Sequence, residues 1–213
     1  SKAEKDCRRL ARSVKRRDKA TFVVLAGCAA EVAGEELIQD SCADMIAGQD
    51  IKFQLPQLLD SGAHGLAKVQ AGSTTADFVQ QTPVLDTTRA LVKVQDGCDF
   101  GCSFCIVPAA RGKPRNRPFQ EIRDEITSLA AHGYKEVILT GANLGCYRFE
   151  SKGISDLLAM TENIPGISRI RLSCIEVSTA EREFIDYMAG SQKLCRSLHI
   201  PLQSGDNRIL RLM

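Results

Sequence analysis

Apolar and polar positions along the chain fall into a short patterned stretch, a featureless one and a longer patterned one. Leu10 and Val14, four apart among charged residues, predict a largely polar opening helix that packs along one narrow stripe. Residues 21–26 (TFVVLA) are β-branched and apolar enough for a buried parallel strand. Gly27 and Cys28 then turn the chain into a helix reaching about Gln39, and residues 44–47 predict a second short strand. This alternation is that of a small α/β layer on a parallel sheet. Residues 61–83 change to Gly, Ser, Thr, Gln and Ala with little periodicity, which predicts a linker and a domain boundary near 84. Beyond it, strands are predicted at 89–94, 135–139, 169–172 and 198–200. Helices follow at 119–132, 153–163, 179–188 and from near Gly205. Four β-then-α units imply parallel strands joined by right-handed crossovers. A closed eightfold barrel needs about 250 residues, so the second part is expected to be at most the first half of an open barrel. The fold class is therefore α/β, with domains at 1–84 and 85–213. The apolar pattern from Asn207 stops at Met213 without a C-cap signal, so the chain is expected to be an internal portion of a longer protein.

Composition narrows the class. The chain has 213 residues, 44% apolar, 25% charged and 5% aromatic with no Trp, which excludes a disordered tail, a collagen-like chain and a membrane protein. No run approaches the roughly 18 to 20 apolar residues that span a bilayer, and the basic start lacks the apolar segment of a secretory signal. A cytoplasmic location is expected. Nine cysteines are too many for an average cytosolic chain and too few for a disulfide-built miniprotein, which points to metal chemistry in a reducing compartment. The net charge of +2 hides opposed segments: residues 1–19 hold nine Lys/Arg against three Asp/Glu, whereas residues 29–62 hold Lys52 against seven acids. A second basic run, Arg111, Lys113, Arg115 and Arg117, contains no acid. Either run can bind a polyanion by releasing its counterions or simply form a solvated face.

The densest chemical signal is DGCDFGCSFCIVPAARG, where Cys98, Cys102 and Cys105 follow a C-x₃-C-x₂-C spacing directly after a predicted strand. Such a loop can bring three thiolates to three corners of an iron–sulfur cube. Clusters usually use four cysteines, so one iron would stay open to a small chelating ligand. Two other readings stand beside it: a zinc site on Cys102 and Cys105 with two remote ligands, or three buried free cysteines. Zinc normally shows a second closely spaced pair, and none is visible.

The cysteine spacing, with Phe104 before the last, resembles the signature of radical S-adenosylmethionine enzymes. The stretches VQDGCDFGCSFCIVPAARGKPRNRP, GYKEVILTGANLGCY, RIRLSCIE and LHIPLQSGDNRIL, in that order, resemble the tRNA methylthiotransferases, most of all the bacterial enzymes acting on N6-threonylcarbamoyladenosine beside the anticodon. AEKDCRRLAR and VLAGCAAE are similar to part of that family's amino-terminal domain. The resemblance implies a partial amino-terminal methylthiotransferase domain followed by half of a radical SAM barrel. It implies a [4Fe–4S] cluster on Cys98, Cys102 and Cys105 whose fourth iron is chelated by S-adenosylmethionine, and an electron donor that reduces it. Phe104 would wall the adenine. Gly141 and Asn143 after the second barrel strand, Ser173 and Glu176 after the third and Gln203 after the fourth would line the cosubstrate site, all at carboxyl ends of strands.

By the same resemblance, Cys28 is the third ligand of an auxiliary cluster whose other two cysteines lie upstream of Ser1. The chain alone is therefore expected to lack that cluster and to fail at sulfur insertion. Arg111, Lys113, Arg115 and Arg117 would contact tRNA phosphates. Cys7, Cys42, Cys146, Cys174 and Cys195 read as ordinary thiols, and His64 and His132 as surface or helix-end residues. The implied product is a methylthio group on the adenine ring. Rival readings are a methylthiotransferase for isopentenyl-adenosine tRNA or a ribosomal protein, and a zinc- or cluster-stabilised RNA-binding module without chemistry.

Overall fold

A computed structural model describes residues 2–49, 51–62, 64–67 and 87–213, so the predicted boundary near 84 and most of the predicted linker lie outside the described residues. The chain divides into two compact units, one of residues 1–77 with 109–111, the other of residues 78–108 and 112–213.

In the first unit, α1 (Lys2–Arg17) packs against α3 (Glu35–Ser41). The buried contact of α1 is Ala11, whereas Leu10 is 66% exposed, which corrects the expected stripe. A methyl group lets two helix backbones approach where a leucine would hold them apart. Lys15 reaches Asp44 at 2.7 Å, and Asp44 also accepts the Val23 N–H at 2.7 Å. Burial pushes the Asp44 carboxyl up, but these two hydrogen bonds outweigh it and leave it below its ordinary range. Strands β1 (Val24–Ala26), β2 (Met45–Ala47) and β3 (Gly65–Ala67) form a parallel sheet in that order, with β2 wholly buried at its centre. β3 falls inside the stretch expected to be linker, since three residues including a glycine carry no readable period. The single helix expected from Cys28 is two, α2 (Cys28–Ala33) and α3, broken where Gly34 takes φ 54° and ψ −131°. A short α4 (Leu55–Asp60) with Pro56 in its first turn follows.

The second unit is built on parallel strands β4 (Arg89–Lys93), β7 (Glu136–Thr140) and β8 (Arg169–Leu172), in the order β4-β7-β8. Between β4 and β7 along the chain come an antiparallel pair, β5 (Gln95–Asp96) with β6 (Arg115–Asn116), and α5 (Val107–Arg111), whose residues 109–111 belong to the first unit. None of these three is predicted, because two to five residues show no periodicity. The crossovers are α6 (Phe119–Ala131), α7 (Ile154–Glu162) and α8 (Arg182–Gly190), and α9 (Asn207–Leu212) starts at an Asp206 side chain that accepts the Arg208 N–H at 2.7 Å. Helix α8 begins three residues later than expected, since residues 177–179 form a 3₁₀ turn.

The predicted fourth strand at 198–200 does not form. Leu194 makes a single parallel bridge to Ile170, and Ile175 N–H reaches the His199 carbonyl at 3.3 Å. A tight turn, Ser197 N–H to Cys195 O at 2.8 Å, and Pro201, which has no N–H, keep the segment from continuing a ladder.

The register explains the core. Ala90, Val137 and Ile170 form one cross-strand row and Val92, Leu139 and Leu172 the next, all buried against Ile122, Ile126 and Leu129 of α6 and Leu157 and Leu158 of α7. The alternate residues point to the other face of the sheet. There the register sets Arg89, Glu136 and Arg169 side by side, with Arg171 two residues on. Glu136 meets Arg89 at 3.0 Å, Arg169 at 3.2 Å and Arg171 at 2.5 Å. Burial raises its carboxyl, and the Arg171 hydrogen bond with the charges of all three arginines more than reverses that.

A second carboxylate ties the return segment down. Glu162, the last residue of α7, accepts from Ser191 Oγ at 3.0 Å, from the N–H groups of Gln192 at 2.9 Å and Lys193 at 3.1 Å, and from the Tyr187 hydroxyl. Burial raises its carboxyl, but these donors bring it below the usual carboxylate range. A depressed folded value means stabilisation present above the unfolded value of about 4.3 and lost as pH falls through the folded one. Glu162→Gln is therefore expected to cost about 1.5–3 kcal/mol at neutral pH in urea unfolding, and the gap to wild type should close in acid. A gap that stays constant down to the acid limit would contradict this account.

Candidate active site

The carboxyl ends of β4, β7 and β8 open onto one cleft of about 160 Å³. Its approach from β4 is set by Gly97, whose φ of 75° and crowded position both require glycine: a Cβ there would lie 2.2 Å from the Lys113 carbonyl oxygen. The Cys98 N–H then bonds the Gly112 carbonyl at 3.0 Å, so the cysteine loop leaves from a closed hairpin. Within the loop Cys105 N–H returns to Cys102 O at 3.1 Å.

Cys98, Cys102 and Cys105 all line the cleft, together with Phe104, Asn143, Glu176 and Gln203. Phe104 is 54% exposed, an apolar surface left open to a ligand. Gly141 and Ser173 do not line it. Gly141 is a packing glycine, whose Cβ would sit 2.8 Å from the Gln95 Oε1, and the Ser173 N–H extends the sheet to Leu139 O at 3.1 Å. Sequence reasoning missed Phe100, Val107, Ala142, Cys174 and Pro201 in the lining. For Cys174 the signal was present: it follows β8 at the same level as the predicted Ser173 and Glu176. Burial raises its thiol and the Glu176 charge adds to this. Burial likewise raises Cys146, with the Cys98 and Asp99 charges adding, which agrees with an ordinary thiol.

Among the described residues, no group of three or more Cys, His, Asp or Glu side chains converges as the ligands of one ion would. A cubane cluster makes no such demand, because each thiolate binds its own iron. Three half-buried thiols on one wall of a cleft, with no lysine or arginine among the lining residues, suit such a group. Cys28 is half-buried in the first turn of α2, with its Sγ 3.9 Å from Gln49 Oε1, and the described residues do not show a second cluster.

The basic run past the loop is mostly structural. Arg117 is 1% exposed; its guanidinium pairs with buried Glu125, reaches Glu121 at 3.5 Å and donates to the Lys93 carbonyl at 3.2 Å, while its own carbonyl accepts the Tyr147 hydroxyl at 2.8 Å. It cannot meet a phosphate, which corrects the expectation. Arg115 is largely buried and faces Asp96 at 3.7 Å, a buried carboxylate that also holds Lys93 at 2.6 Å. Arg111 is half-exposed and donates its Nε–H to the Cys28 Sγ at 3.4 Å, whereas Lys113 is exposed. No helix among the described residues is long and apolar enough to cross a membrane.

Comparison with known proteins agrees with this geometry. The chain is 33% identical over 214 residues to threonylcarbamoyladenosine tRNA methylthiotransferase MtaB of Thermotoga maritima, covering 99% of the chain and 49% of that protein. It is also 33% identical over 201 residues to the tRNA-2-methylthio-N(6)-dimethylallyladenosine synthase of Thermodesulfovibrio yellowstonii, covering 94% of the chain and 47% of that protein. The chain thus spans about half the length of the curated relatives it matches. A solved radical S-adenosylmethionine methyltransferase, TsrM of Kitasatospora setae, shares the fold with a TM-score of 0.68 at 16% identity, over 97% of this chain and 46% of that one. Residues 92–213, which carry the three cysteines and every strand end around the cleft, match the profile of the radical SAM superfamily, and the chain belongs to that superfamily.

Proposed function

We propose that the protein to which this chain belongs is a tRNA methylthiotransferase acting on the adenine ring of N6-threonylcarbamoyladenosine next to the anticodon. The observation that carries the reading is the single cleft shared by Cys98, Cys102, Cys105, Phe104, Asn143, Glu176 and Gln203, drawn from four separated motifs. Cys98, Cys102 and Cys105 would hold a [4Fe–4S] cluster, which when bound supplies the electron for reductive cleavage of S-adenosylmethionine. The chain's own residues do the rest. Phe104 offers an apolar face to the adenine. The Asn143 side chain, buried at the end of β7, lies 3.2 Å from the Thr179 hydroxyl and offers an amide to a ligand. Cys28 is proposed as one ligand of an auxiliary cluster completed by residues outside this chain. Exposed Lys113 serves tRNA phosphates as a positioning contact.

The relative named for dimethylallyladenosine is as similar as the one named for threonylcarbamoyladenosine, so the nucleoside is decided by assay of the full-length protein on both tRNAs. The cleft is tested on this chain. After anaerobic loading with iron and sulfide, adding S-adenosylmethionine should change the electron paramagnetic resonance spectrum of the reduced cluster. A spectrum indifferent to the cosubstrate, or stoichiometric zinc in place of iron, would overturn the reading.

A further inference from the structure

We propose that Gln95 is a positioning residue that ties the cysteine loop to the end of β7 and so fixes Cys98 against Asn143 across the cleft. The inference rests on the reading of that cleft given above, but its geometry is independent of any bound group. Gln95 is fully buried. Its Nε2 donates to the Gly97 carbonyl at 2.7 Å and the Asp96 carbonyl at 3.2 Å, and its Oε1 accepts the Asn143 N–H at 3.0 Å. One side chain therefore bonds the residue just before the first cluster cysteine and, on the neighbouring strand end, the backbone of the buried asparagine that lines the cleft.

The position calls for glutamine. It needs two donors at one end of a planar group and an acceptor at the other, so a carboxylate supplies only half of the set and a thioether none. Gly141 keeps the space for Oε1, since a Cβ there would lie 2.8 Å from it. The linkage continues on the far side. The Thr179 hydroxyl sits 3.2 Å from Asn143 Oδ1 and 2.8 Å from the Glu176 carbonyl, and Gly145 packs so closely on Thr179 that a Cβ would come within 2.0 Å of Oγ1. Neutral polar contacts thus follow one another from β5 to the ends of β7 and β8, with Gln95 making the span between β5 and β7. Neutral partners leave the charge balance at the cleft untouched, which suits a device that sets distance and not affinity by itself.

The test uses Gln95→Met and Gln95→Glu in this chain, read by amide hydrogen exchange without cofactor and by S-adenosylmethionine binding after anaerobic loading. Q95M should lose protection at the Asn143 amide while Val137 and Leu139 keep theirs, and should bind the cosubstrate about 10-fold or more weakly. Q95E keeps an acceptor for Asn143 but sets a carboxylate against the Gly97 carbonyl, so the Asn143 amide stays protected while binding weakens comparably. Should Q95M not fold, Gly141→Ala, which crowds Oε1 off the Asn143 N–H, is read the same way. A residue that merely fills space would predict a harmless Q95M. Wild-type-like protection and binding in Q95M, or in G141A where that is the variant read, overturns the proposal. A wild-type chain that shows no cosubstrate response while Q95M loses Asn143 protection overturns the reading of the cleft and leaves the bridge standing.

Discussion

Replacing Arg117 with methionine is expected to lower the free energy of unfolding by about 3–5 kcal/mol, the cost of leaving a buried partner charge uncompensated. Arg117 and Glu125 are both almost completely enclosed, and the methionine can neither pair with the Glu125 carboxylate nor donate to the Lys93 carbonyl. Glu125 would then have to ionise in an apolar helix-to-sheet layer beside Ile122 and Ile126, or take up a proton. The double variant R117M/E125M is the control. It removes both charges, and most of the stability should return, because a buried ion pair offsets little more than its own desolvation. Urea unfolding of the three chains decides it. A phosphate-binding role for Arg117 would give the opposite pattern: R117M would keep its stability and lose affinity for RNA, with a shallower dependence of binding on salt.

The second large effect is expected at Gly97→Ala. A non-glycine residue at φ 75° costs about 1–2 kcal/mol from backbone crowding alone. Here the added carbon also meets backbone on the opposite side of the hairpin, 2.2 Å from the Lys113 oxygen and 2.7 Å from the Gly112 oxygen. Neither can rotate away as a side chain would. The hairpin must open, and with it goes the Cys98 N–H bond to Gly112 that aims the first cluster cysteine. Iron uptake on anaerobic loading should fall by roughly 10-fold or more. The sheet core is remote from this turn, so far-ultraviolet circular dichroism should barely change. Gly101→Ala, in the same loop but with no atom within 4 Å of its Cβ and no positive φ, should load as wild type. Equal loading by both variants would remove Gly97 from the account of the site.

What could be read from the sequence, and what could not, follows from range. The C-x₃-C-x₂-C loop is a covalent spacing, so three thiols on one wall were legible from residues 98–105 alone. The strands at β4, β7 and β8 were legible because each is a short stretch with two or three apolar residues that comes ahead of a helix of nine residues or more. The strand expected at 198–200 was not, since its apolar residues say nothing of whether a neighbour offers a ladder, and the turn at 195–197 spends its hydrogen bonds locally. Arg117 was legible as a cation and illegible as a buried one, because Glu125 lies eight residues away on a different element. The break at Gly34 could have been suspected from the residue, yet a lone glycine inside a helical pattern is more often tolerated than obeyed. Gln95 carried no signal at all: its role exists only once the ends of β4 and β7 are neighbours.

The arginines around Glu136 bear on how this sheet comes apart. Three cations face one carboxylate at the foot of β4, β7 and β8, whereas the mouth is stitched by amides and carbonyls without charge. Dissolved ions screen the first kind of bond and hardly touch the second. Brine should therefore fray the sheet from below, with the upper rim keeping its shape after the lower strand ends have begun to separate.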